Sequence, residues 1–260
     1  MTRAHDVRLE DSDSLVVYAD FAAPECYLAS RRVDALVAAG IAVDWRAVEQ
    51  NPRQPVNGRA LVADDRTETE KRMAAVTALL LPREQLPWQL PRMVPNTEAA
   101  VSGYAEAYGA EVGDDVRRLL YAAYWVDGSD IGSPEVLRRR LTGPILRGRS
   151  TSSPLRDSGY AVAVSRGPIT TSAWRRIRVW REEWVYLGTG EVPTLVAGDG
   201  SPSTGEAALR RLEKEILRAG AEIDPDLPDP AKFPVKPVRP PKTWVSEVGG
   251  TWSQVWKTCP

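Results

Sequence analysis

The chain is short of the residues that most often carry catalysis and metal binding. Its 260 residues include one histidine, His5, and two cysteines, Cys26 and Cys259. A single histidine builds neither a multi-histidine metal site nor a His-based triad, so no metal is expected. Two cysteines are too few for a disulfide scaffold. No apolar run approaches the roughly 18 residues that a bilayer span needs. The N-terminal stretch MTRAHDVRLEDSDS is polar and acidic and has no apolar signal core. A cytoplasmic protein that does not associate with membranes is therefore expected. Excess charge is missing too. Lys and Arg total 34 and Asp and Glu total 35, which leaves no net field to draw the protein to nucleic acid. Gly188-Thr189-Gly190 is not part of a G-x-G-x-x-G turn opening a helix, so no dinucleotide fingerprint is present. None of the Asp–Glu pairs has a spacing that singles out a glycosidase site.

What is present is an ordinary globular composition, 43% hydrophobic and 27% charged. SLVVYADF, residues 14–21, is the short apolar, β-branched run of a buried strand. Pro24 suits a helix's first turn, where a missing N–H costs little. CYLASRRVDALVAAG then places Leu28, Val33, Leu36 and Val37 at helical spacing, with Gly40 as the stop. IAVDWRAV alternates Ile41, Val43 and Trp45 with small or polar residues and predicts a second strand. A strand–helix–strand unit of this length predicts parallel pairing and a right-handed crossover.

The middle of the chain reads as helices over 64–82, 97–110, 114–126 and 133–141, with caps at Asn96-Thr97 and Ser133-Pro134. Residues 148–172 predict a loop or irregular hairpin, and Arg147 and Arg149 in TGPILRGRSTSS are candidates to touch an anionic ligand. SAWRRIRVWREEWVYLG is amphipathic, with Trp174, Ile177, Trp180, Trp184 and Leu187 near one face. EVPTLVAGDG predicts a strand led by proline and closed by a turn at Asp199-Gly200. A helix from Ser201 to Gly220 follows. From Asp224 to Pro241 the chain is proline-dense and predicts an extended segment. The last residues carry Trp244, Trp252 and Trp256, aromatic surface expected to dock on the body or on a partner, so that a homodimer would be unsurprising.

Four stretches together resemble the DsbA-like thioredoxin superfamily, and in particular its FrnE-like branch. Close relatives of that branch are the 2-hydroxychromene-2-carboxylate isomerases and kappa-class glutathione transferases. VVYADFAAPECYLASRRVDAL resembles the branch's strand, active-site turn and first helix, usually Y-x-D-F-x-C-P-W-C-Y-x-G. VDWRAVEQNP resembles its second strand. PNTEAAVSGYAEAYG with LLYAAYWVDGSDIGSPEVL resembles its helical insertion, and EVPTLVAGDG…TGEAAL its proline-led strand, usually G-V-P-T-F. The resemblance implies an α/β thioredoxin-like fold. The thioredoxin-like domain would span 14–62 and 188–222, an all-helical insertion 63–187, and a Pro- and Trp-rich extension 223–260. It implies a cis Val192–Pro193 bond beside the active-site turn and a groove there for a peptide, thiol or small-molecule substrate.

The sequence departs from the family pattern at three positions. Ala23 replaces the first cysteine of the redox pair, or the serine common in the isomerase branch. Glu25 replaces the tryptophan, and Val101 the histidine that often follows N-T-x-x-A. In a complete Cys-x-x-Cys site the first thiolate, favoured by the helix N-terminus, attacks a disulfide, and the second thiol resolves the product. Ala23 has no thiol, which excludes a dithiol mechanism within this turn. Cys26, the resolving thiol by position, is the only candidate catalytic residue. Three roles stay open for it: a small buried packing residue, a monothiol forming mixed disulfides, or a partner of Cys259. The candidate substrate-binding residues are Asp20, Ala23, Pro24, Tyr27, Val192 and Pro193. No cofactor is expected beyond a low-molecular-weight thiol, as used in the isomerases and transferases. Three functions compete: a DsbA/FrnE-type thiol oxidoreductase relative with a degenerate A-x-x-C site; an isomerase- or transferase-like tailoring enzyme using the cleft between the subdomains; and a non-catalytic ligand-binding protein.

Overall fold

β1, Leu15–Ala19, is buried along its whole length. A strand that is apolar at every position, rather than at alternate ones, must be covered on both faces and sit inside its sheet. A computed structural model describes residues 15–149 and 153–224 and places β1 in that way. β2, Val43–Ala47, runs parallel to it, with Leu15 opposite Val43 and Ala19 opposite Ala47. On the other side β5, Thr194–Val196, pairs antiparallel, and beyond it lies β6, Pro202–Thr204. The sheet order is β2-β1-β5-β6. Between β1 and β2 runs α1, Pro24–Ala38, with Gly40 at φ 83° taking the left-handed turn that ends it.

The connection from β2 to β5 holds most of the helices. Strands β3, Arg59–Ala60, and β4, Met93–Val94, form a two-residue antiparallel pair that flanks α2, Ala63–Thr77. Then come α3, Glu98–Gly109, and α4, Gly113–Tyr121, whose last turn widens into a π-helical segment at Ala122–Val126. α5, Pro134–Arg147, is followed by the short α6, Ser153–Ser158, and by α7, Thr171–Tyr186. The C-terminal helix α8, Gly205–Ala219, packs on α1 and ends at Gly220, φ 59°.

Four expectations are corrected. Residues 148–172 include the helix α6. α5 runs six residues past its expected end, through the buried Pro144. Pro202–Thr204 pairs with β5 as a strand and does not open the last helix. Trp174 does not join the buried face of α7: it is exposed, with Arg178 over its ring, while Trp180 and Trp184 are buried. Helix periodicity gives the angle of a side chain but not the extent of the surface that covers it. Ser133 caps α5 as expected, accepting from Val136 N at 3.4 Å.

Two ion pairs built on buried arginines tie the layers together. Arg32 of α1 and Glu84, in the segment after α2, are both fully buried and 3.1 Å apart. Arg32 also donates to the carbonyl of Leu209 in α8 at 2.7 Å. Arg117 of α4 reaches Asp34 and the carbonyl of Ser30 in α1, both at 2.7 Å. His5, Cys259 and the tail tryptophans lie outside the described residues.

Candidate functional site

The turn between β1 and α1 is built around Asp20. The strand ends at Ala19, and Asp20 bends back so that its Oδ1 accepts from Ala22 N at 2.9 Å. Its Oδ2 accepts from Gln50 N at 2.8 Å and from the Thr97 hydroxyl at 3.1 Å. One carboxylate thus joins β1, the segment after β2 and the start of α3. Thr97, expected as a helix cap, spends its hydroxyl on Asp20. Asn96 serves instead, its Oδ1 accepting from Glu98 N at 3.0 Å. Burial raises the Asp20 carboxyl above its ordinary value, and the three hydrogen bonds and Arg72 pull the other way.

Ala23 sits at the N-cap of α1 with extended backbone and no side-chain cap. Cys26 N donates to its carbonyl at 3.1 Å, so the thiol lies one turn further in. Cys26 is a free thiol with 0% exposure. Burial pushes it well above its ordinary range, and Glu25 and Asp20 add to the rise. A neutral, enclosed thiol is a poor nucleophile, because only the thiolate attacks.

A cavity of about 300 Å³ opens beside this turn. Asp20, Ala22, Ala23 and Pro24 form one wall. Arg59, Leu61, Asp65, Glu68, Thr69 and Arg72 line it from β3, the turn after it and α2, and Thr97, Tyr124 and Trp125 line it too. The π-helical widening presents Trp125 there, with its indole N–H donating to the Phe21 carbonyl at 3.1 Å. Tyr124 donates to the Met93 carbonyl at 2.9 Å. Arg72 pairs with Glu25 at 2.6 Å, and Arg59 pairs with Asp65. The cavity therefore holds both signs of charge, a buried carboxyl and two aromatic rings, and its thiol position is a methyl group.

Of the residues singled out from the sequence, Asp20, Ala23 and Pro24 line the cavity. Cys26 and Tyr27 do not. Tyr27 is buried, stacked on Tyr121 with ring centroids 5.4 Å apart, and burial pushes its hydroxyl up to about 12. Val192 and Pro193 are joined by a cis bond and buried; the Pro193 carbonyl accepts from Gly205 N at 2.9 Å. They are not part of the cavity's lining either. Arg149 pairs with Glu111. Sequence reasoning missed Thr97 as a partner of Asp20, and it missed Arg59 and Arg72. The N-T pair was the available signal for Thr97. The arginines lie among many charged residues with nothing local to mark them.

A second titratable group lies nearby. Glu49, just after β2, is pushed up to about 7, first by burial and then by Glu98 and Asp20, with Arg181 opposing. Among the described residues, no cluster of three or more His, Cys, Asp or Glu has a metal-binding arrangement, and no helix is long and apolar enough to cross a membrane.

A four-stranded mixed sheet with a strand–turn–helix at its centre and a helical block between its second and third strands defines a thioredoxin-like α/β protein. Residues 14–142 match the DSBA-like thioredoxin domain, and that stretch belongs to the DsbA-like thioredoxin superfamily. A probable DsbA oxidoreductase from Streptomyces coelicolor superposes with a TM-score of 0.58 at 19% identity, over 83% of this chain and 94% of that one. A 2-hydroxychromene-2-carboxylate isomerase gives 0.57 at 17% identity, over 79% and 95%. The cytosolic disulfide reductase DsbM from Pseudomonas aeruginosa, solved with GSH, gives 0.55 at 13%, over 80% and 97%. No curated protein matches the chain in sequence.

Proposed function

We propose that this is a DsbA/FrnE-like protein that no longer exchanges disulfides and instead binds a small polar organic molecule in the cavity beside Ala23. The observation that carries this reading is the position of the two groups where thiols would stand. The one facing the cavity is a methyl, and the one that is a thiol is fully enclosed. Neither can form a mixed disulfide with a substrate in that cavity. What the cavity offers is proton transfer and charge recognition. Asp20, raised by burial and in reach of an occupant, is the group suited to general acid–base work. Arg59 and Arg72, paired with Asp65 and Glu25 in the walls, are the cations that an anionic substituent would compete for. The isomerase relatives perform a reaction without net redox change on a fold of this kind, which favours a tailoring role over a thiol one. A low-molecular-weight thiol is a candidate occupant because the DsbM relative was solved with GSH. A cytoplasmic setting is part of the same proposal.

The test combines two assays on the full chain. Dithiothreitol-driven insulin reduction should run at the uncatalysed rate, with or without Cys26→Ser. Thermal-shift screening with glutathione and small aromatic and aliphatic carboxylates should give a stabilising ligand whose effect Asp20→Asn or Arg72→Ala reduces. Insulin reduction that depends on Cys26 would overturn the reading.

A further inference from the structure

One face of α7 carries an uncovered apolar surface. Nine large apolar side chains are exposed among the described residues, and four of them, Trp174, Val179, Val185 and Tyr186, stand on this helix. No other helix or strand carries more than one. Trp174 is 53% exposed, Val185 62% and Tyr186 87%. The opposite face packs inward through Ala173, Trp180 and Trp184, so the core already uses the other side of the helix. Large apolar side chains gathered on one solvent-facing surface mark contact with another molecule.

The outward residues are spaced so that the face fits a copy of itself. Trp174 and Val185 are 11 residues apart, and so are Arg175 and Tyr186. Eleven residues make three helical turns and about 20° more, so each pair lies along one line of the helix surface, one member near each end. Arg178 and Glu182 stand one turn apart between them. All three pairs centre on the level of Trp180, and Val179 and Arg181 flank the strip on either side. A two-fold axis at that level brings up a second α7 running antiparallel and exchanges the members of every pair. Trp174 then meets the partner's Val185, Arg175 meets the ring of the partner's Tyr186, and Arg178 meets the partner's Glu182. Each contact is made twice. Arg175 makes no ion pair among the described residues, which leaves its guanidinium for an aromatic ring. Arg178 and Glu182 already pair within one helix at 3.5 Å, with side chains 57% and 67% exposed, and such a pair contributes little alone. The two-fold arrangement keeps it and extends it: four charges of alternating sign close a ring across the axis.

We propose that α7 pairs antiparallel with the α7 of a second copy of this chain, about a two-fold axis at the level of Trp180. At 16 residues the helix is about 24 Å long, which places the contact at the small end of specific interfaces. The expected species is a reversible dimer that dissociates in the micromolar range. Its face takes no part in lining the cavity at Ala23, and whether that cavity binds anything has no bearing on it.

Sedimentation equilibrium of the full chain, with reductant present so that Cys259 links nothing, tests the proposal. The wild type should show a monomer–dimer equilibrium. Arg178→Glu gathers four carboxylates across the axis and Glu182→Arg gathers four guanidinium groups, so each change alone should weaken the dimer at least about tenfold. Both side chains are exposed, and an unchanged circular dichroism spectrum and melting temperature show that the variants keep the fold. An equimolar mixture of the two variants sets acids only against bases and should dimerise about as tightly as the wild type. Only a contact between chains gives that rescue. A wild type that stays monomeric up to about 1 mM would overturn the proposal. So would a dimer that neither variant weakens, or variants that do not recover when mixed.

Discussion

Cys26 should be nearly inert towards thiol reagents while the protein is folded. The perturbation is 5,5′-dithiobis(2-nitrobenzoate) at pH 8, applied to a Cys259→Ser background so that one thiol reports. Two factors act, one on the closed state and one on the route through opening. The first is ionisation. Burial holds the thiol well above its ordinary value of 9.0, so at pH 8 less than about one-tenth is thiolate. The second is access. With no exposed surface, Cys26 reacts only when α1 opens. That helix packs on α8, α2 and α4 and is held by the buried Arg32 and Arg117. An opening free energy of about 4 kcal/mol, modest for a core helix, allows access about one part in a thousand. The result is a rate about three orders of magnitude below that of an exposed thiol at the same pH, rising to the free-thiol rate in denaturant. Labelling within tenfold of the free rate in native buffer would refute both the enclosure and the reading of Cys26 as packing, and it would restore the monothiol role.

Three further outcomes follow from the same geometry. Ala23→Cys puts a thiol at the α1 N-cap, facing the cavity one turn from Cys26. It should form an internal disulfide and gain insulin-reduction activity, and no gain would show that Ala23 is not what silences the site. Glu49→Gln should stabilise the protein by about 1–2 kcal/mol at pH 8 in urea titrations and by nothing at pH 4. Its folded-state value of about 7 lies above the ordinary 4.5, so the wild type loses stability as pH rises from 4.5 to 7; a pH-independent effect would contradict that burial. Glu84→Gln leaves Arg32 buried beside a neutral group and should cost about 3–5 kcal/mol. Replacing both residues by apolar ones should cost less than the single change, and the reverse order would show that the pair itself is the stabilising element.

Local signals made part of this structure legible. β1, α1 and β2 follow from SLVVYADF, Pro24, Gly40 and the alternation around Trp45, and each is settled within a few residues of sequence. The end of α5 was misplaced because Gly143 and Pro144 look like stop signals, whereas in the fold the buried Pro144 continues the helix. β6 was missed because Ser-Pro-Ser before a helical run looks like a cap. Its pairing with β5 depends on a partner strand and not on its own residues. The site was legible at Asp20, Ala23 and Pro24, which are adjacent in the chain. It was illegible where it depends on distance: Thr97 meets Asp20 across 77 residues, and Arg72 meets Glu25 across 47. No spacing rule carries such pairings, and residues 225–260 lie outside the described part of the chain.

The Arg32–Glu84 pair has a consequence for how this family member can change over time. It rivets the segment after α2 to α1, and through the Leu209 carbonyl to α8 as well. The helices that carry the two facing walls, α1 and α2, are therefore fastened to each other behind the cavity. Under the binding role proposed above, a change of ligand preference would draw on the side chains of the short stretch 59–72, where Arg59, Asp65, Glu68, Thr69 and Arg72 stand. That stretch is the interchangeable tooling of the protein, and homologues with different occupants should differ there first.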